Sequence, residues 1–141
     1  MLGLNSQLIF PTIGVSRFVC QNNSDVSYSR CDAFNRAMVG LCKDEKRMLP
    51  LGFMVLTGPE RAVQGAKDAV KMGVRALWIG SDAFEGRAPS HIAYDPLWAA
   101  LEEACVPVTL HFGSGRNMGG ARGRLNILPV INGHIITAFN S

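Results

Sequence analysis

His111 is the residue of this chain best placed to do chemistry. It follows the short apolar run 106–110 and precedes Phe112 and the glycine loop Gly113, Ser114, Gly115, so a buried strand ends on it and a loop begins just beyond. A neutral imidazole is a good ligand for zinc or another divalent transition ion, although a catalytic zinc normally takes three protein ligands and an open water position. Arg116 lies in the same loop and is suited to meeting a substrate carboxylate, against the plainer reading of a solvated loop arginine. His91 precedes Asp95 in a polar loop and reads as a surface residue. His134 falls in the segment 125–139, a helix weakened by Pro129 and Gly133, and reads as structural or substrate-lining. Cys20, Cys31, Cys42 and Cys105 are too widely spaced for a CxxC knuckle, and two of them occupy apolar helix positions, so they read as buried free thiols.

The elements that must position His111 alternate along the chain. Tyr94 is followed by Asp95 and Pro96, an N-cap and first-turn pair, and Leu97, Trp98, Leu101 and Ala104 recur on one helical face. The helix therefore feeds directly into the strand that ends at His111. Upstream, 6–11, 48–56 and 74–79 are apolar runs of strand type. Cys31, Phe34, Met38, Leu41 and Cys42 repeat at helical spacing, with Lys43, Lys46 and Arg47 following where a helix dipole favours cations. Thr57 or Gly58 can cap the next helix, Pro59 and Glu60 suit its first turn, Ala62, Val63, Ala66, Ala69 and Val70 form its buried stripe, and Gly73 supplies a left-handed stop. Strands that are apolar almost throughout, separated by helices, predict right-handed crossovers and a parallel sheet. In such sheets ligands and catalytic groups gather at the carboxyl ends of the strands.

Other site chemistries fail on detail. Gly113, Gly115 and Gly119 give GxGxxxG, no clear helix opens at the loop, and no acidic residue follows to hold a ribose, so a dinucleotide fingerprint is not met. A P-loop is excluded because no Gly-Lys-Ser/Thr is present. The net charge of +3 is local: the first 103 residues hold 11 basic and 11 acidic residues, which cancel, and the excess is Arg116, Arg122 and Arg124. Such a loop can attract an anionic group but is too small for a nucleic-acid surface.

The sequence resembles the amidohydrolase-related family, the metal-dependent TIM-barrel hydrolases and decarboxylases that include aminocarboxymuconate semialdehyde decarboxylase. The resemblance rests on YDPLWAALEEACVPVTLHFGSG at 94–115, QLIFPTIG at 7–14, CDAFNRAMVGLCKDEKRMLPLGFMVLTGPERAVQGAKDAVKMGVRALWIG at 31–80 and INGHIITAFNS at 131–141, with a gap near 15–30. It implies an α/β fold, a partial TIM (β/α)8 barrel of about four parallel strands with intervening helices, corresponding to strands two to five of eight. It also implies that His111 is a metal ligand. The family's other ligands are an HxH pair on the first strand and an aspartate on the last, with a further catalytic histidine on a later strand. No HxH occurs in this sequence. The resemblance thus implies a fragment of a metal-dependent hydrolase or carboxy-lyase acting on a small, carboxylate-bearing organic substrate. A divalent ion, zinc by preference, belongs to the complete enzyme, and no tight binding is expected of this chain alone. The alternative is a non-catalytic α/β protein derived from such a barrel, held together by association of two copies.

Composition agrees with one domain over residues 1–141. The chain has 141 residues, fewer than the roughly 250 of a complete barrel. With 48% hydrophobic and 18% charged residues it reads as a globular chain. No apolar run approaches the ~18 residues needed to span a bilayer, and 2–13 is too polar for a secretory signal, so the expectation is a cytoplasmic protein without membrane or nucleic-acid partners. The strands at 6–11 and 106–110 are expected at the sheet edges, where unpaired backbone invites association.

Overall fold

The computed structural model describes residues 5–11, 14–20, 24–79 and 87–110. Within them the chain runs β1 (Gln7–Ile9), α1 (Val15–Val19), α2 (Ser24–Cys42), β2 (Met48–Met54), α3 (Pro59–Met72), β3 (Ala76–Ile79), a 3-10 turn (Ile92–Tyr94), α4 (Asp95–Glu103) and β4 (Val108–Leu110). The four strands form one sheet in sequential order, every pairing parallel. Strands that neighbour one another in chain order, each joined by a helix, form a curled half-barrel. The expected partial α/β barrel is therefore observed, with β1 and β4 at the edges.

Register assigns the side chains to two faces. Leu51 lies opposite Ala76 and Phe53 opposite Trp78, while Gly52 lies opposite Leu77 and Met54 opposite Ile79. Because strand side chains alternate, Leu51, Phe53, Val55, Ala76 and Trp78 share one face, where they cluster with Val19 of α1 and Cys31 of α2. The Phe53 and Trp78 rings meet edge to face at 5.1 Å, a favoured aromatic geometry. On the other face Met54, Leu77 and Ile79 pack with Ala62, Ala66 and Ala69 of α3 and Leu97 and Leu101 of α4. Small alanines let α3 approach closely; of its expected stripe Ala62, Ala66 and Ala69 are buried, and Val63 and Val70 half-buried.

The helix ends follow the local sequence signals only in part. Gly73 ends α3 at φ 106°, with Gly73 N–H donating to the Val70 carbonyl and Val74 N–H to that of Ala69, the left-handed stop expected there. Gly58, not Thr57, precedes α3, without a side-chain cap. Asp95 is not a cap. It is already helical, because the 3-10 turn leads straight into α4, and His91 takes the capping role one turn earlier by accepting from Ala93 N–H at Nδ1 (3.2 Å). Two further corrections concern α2. It begins at Ser24 rather than near Cys31, and Leu41, expected on its apolar face, is 63% exposed. The four cysteines are free thiols, Cys31 and Cys42 buried as expected, Cys20 half-buried and Cys105 exposed.

α2 also explains how β1 can be so short. β1 pairs with β2 only as far as Pro50, which would leave the next backbone groups of β2 without a strand partner. Asn35, 3% exposed, supplies them: its Oδ1 accepts from Phe53 N–H at 2.7 Å and its Nδ2 donates to the Phe53 carbonyl at 3.0 Å. The Cys31 thiol donates to the same carbonyl at 2.7 Å. Gly52 makes room for this amide, since a Cβ there would lie 2.8 Å from a Val74 methyl and 3.0 Å from Asn35 Oδ1.

Candidate functional site

The carboxyl ends of the strands carry the candidate site, and that of β2 is held by two tyrosine side chains. Tyr28 of α2 donates from its hydroxyl to the Val55 carbonyl at 3.4 Å, and Tyr94 donates to the Leu56 carbonyl at 3.2 Å. Two phenols from helices on either side thus pin successive carbonyls where β2 leaves the sheet. Burial raises the Tyr28 hydroxyl above the ordinary phenol range, because the charged form would lose its solvation, so it stays a donor. The Arg61 guanidinium stacks 4.3 Å over the Tyr28 ring and pairs with Asp25, which joins the amino-terminal turns of α2 and α3 at this rim. Trp98 donates to the Pro89 carbonyl at 3.2 Å and ties α4 to the connection that precedes it.

β4 arrives at the same rim beside β3. Trp78 lies opposite Thr109 and Ile79 opposite Leu110, so Thr109 shares the face of Trp78 and Phe53. The Thr109 hydroxyl donates to the Leu77 carbonyl at 3.4 Å.

The sequence candidates divide sharply. His91 is an exposed capping residue, as its loop position suggested. His111, Arg116 and His134 lie outside the described residues, as does the glycine loop 113–119. Among the described residues no three His, Cys, Asp or Glu side chains come together as cation ligands. The described donors therefore do not fit a metal, and no catalytic step is assigned to one on them. Nor is Cys31 a nucleophile: burial pushes its thiol up to about 12, leaving almost no thiolate near neutrality. Sequence reasoning missed the two tyrosine pins. The Tyr94 pin was masked by the prominence of the adjacent Asp-Pro pair as a helix start.

No helix among the described residues is long and apolar enough to cross a membrane. No family model matches the chain. No curated protein matches it either. Among solved structures, the chain is similar to an amidohydrolase from Mycobacterium avium subsp. paratuberculosis K-10, at 21% identity and a TM-score of 0.60 over 95% of this chain. It spans 35% of that protein. At this identity the likeness speaks for the fold. The chain thus has the architecture of a partial α/β barrel, four consecutive parallel β-strands with their connecting helices, like part of that structure.

Proposed function

We propose that this chain is part of a metal-dependent hydrolase or carboxy-lyase of the amidohydrolase type, acting on a small carboxylate-bearing organic molecule. The observation that carries the reading is the register of β4. Thr109 shares a face with Trp78 and Phe53, opposite the one packed by α3 and α4, and in this reading His111, two positions on in the sequence, would follow the same alternation. In a closed barrel that face is the interior, so the His111 imidazole would be one ligand of a divalent ion, zinc by preference. The ion would supply Lewis-acid chemistry towards water or a carbonyl. Arg116 would hold the substrate carboxylate as a charge-assisted pair. The free thiols suit a reducing compartment, the cytoplasm.

A second reading is favoured by one observation. Both faces of the sheet are covered within the chain, one by α3 and α4, the other with Val19 and Cys31, leaving Leu51 and Phe53 at 0% and 1% exposure. A piece buried in this way can fold alone as a non-catalytic α/β protein, with β1 and β4 as edges through which two copies would associate.

The coding sequence on either side separates the two readings. An upstream HxH after an apolar strand and a downstream aspartate support the enzyme, and stop signals with neither present support the second reading. For the 141-residue chain itself, zinc titration is expected to show no tight binding, since one imidazole does not make a site. A sub-micromolar affinity would contradict this assignment of ligands.

A further inference from the structure

At the opposite end of the sheet, beneath the first residues of β2, lies an open depression of about 290 Å³. Val39, Leu49 and Pro50 give it an apolar lining, and Lys43, Lys46 and Arg75 bring three cations to it from two separate connections. All three are exposed. Among the described residues no acidic side chain lines the depression, and the ion pairs are elsewhere: Arg36 with Asp32, Arg47 with Glu45 and Arg61 with Asp25. Asp44 and Glu45 share the turn with the lysines, but Glu45 is engaged by Arg47.

One simpler role for these cations is to offset helix dipoles, because α2 and α3 both end here. Magnitudes decide against that as the whole account. Two helix carboxyl ends contribute about −0.5 charge each, and the last carbonyls of α3 already accept from Gly73 and Val74 N–H. Three unit charges, less Asp44 of the same turn, leave roughly +1 over an apolar lining.

We propose that this depression binds a small organic anion, a carboxylate or phosphate ester carrying a flat or short apolar body. It lies at the amino ends of the strands, so its occupant would not compete for the site at their carboxyl ends.

The test uses phenyl phosphate as probe and amide chemical shifts of the 141-residue chain as readout. Saturable shifts are expected at 43–50 and 73–75, weakening as salt rises from about 50 to about 300 mM. Affinity should fall about tenfold in Lys43→Gln/Lys46→Gln/Arg75→Gln, as exposed charge contacts of modest individual worth are removed together. Neutral benzyl alcohol should not saturate these shifts. If the triple variant does not fold, Arg75→Gln alone should still weaken binding about threefold. Absence of saturation, equal binding of benzyl alcohol, or undiminished affinity in the folded variants overturns the proposal.

Discussion

The side-chain amide of Asn35 pairs with both backbone polar groups of Phe53, accepting from its N–H at 2.7 Å and donating to its carbonyl at 3.0 Å. A side chain here does the work of a neighbouring strand. It sits where β1 has already ended, and it allows β2 to stay in the core with its edge satisfied. Buried backbone groups left unpaired are costly, so this one residue decides how much of β2 can be buried beside a three-residue neighbour.

Asn35→Ala should therefore destabilise the chain by about 2–4 kcal/mol, because two buried groups lose their partner at ~1–3 kcal/mol each, offset in part by the remaining Cys31 thiol. Arg36→Ala, one position away on the exposed side and paired only with Asp32, should cost less than about 0.5 kcal/mol. Urea unfolding midpoints measure both. Equal small effects would show that the amide pairing contributes little.

The Cys31 thiol gives the fold a sensitivity to alkali. Its folded value is pushed up to about 12 by burial, against an ordinary 9.0, so the unfolded chain releases this proton first. The thiol's contribution is fully present below about pH 9 and is lost as pH rises from there towards 12. Tyr28, also raised by burial, acts in the same direction at higher pH. Cys31→Ser keeps a donor for the Phe53 carbonyl and removes the thiol's share. Its unfolding midpoint should fall less between pH 8 and pH 10.5 than that of the parent chain, and parallel losses would refute the attribution.

Cys105 ends α4 in a left-handed conformation, φ 53°, with Cys105 N–H donating to Glu102 and Val106 N–H to Leu101. Gly73 makes the same termination for α3 without a Cβ. Cys105→Gly should stabilise by about 0.5–1 kcal/mol, the relief of left-handed strain exceeding glycine's entropic cost. The thermal midpoint should rise by a few degrees, and a decrease would mean that the Cys105 side chain contributes more than its strain costs.

The strands were legible because their apolar runs are dense and bounded by turns, although Val74, expected in the third strand, belongs to the α3 stop and β3 begins at Ala76. The first two turns of α2 were not, because the residues that face inward there are polar. Ser27 is fully buried while Val26 is exposed, which erases the periodicity that marks an amphipathic helix. The capping error at Asp95 has a similar origin. Asp-Pro is a strong local start signal, but the 3-10 turn Ile92–Tyr94 extends the helical path backward and moves the cap to His91. At the candidate site, the positions of β3 and β4 and their parallel pairing follow from the sequence pattern, whereas His111 and Arg116 fall outside the described residues.

The central claim is that position 111 brings an imidazole to a metal inside a completed barrel. Metal content of the complete protein, measured by mass spectrometry beside its activity, tests this most directly. His111→Ala should lose the bound ion and the activity together, and retention of stoichiometric metal by that variant would contradict the account.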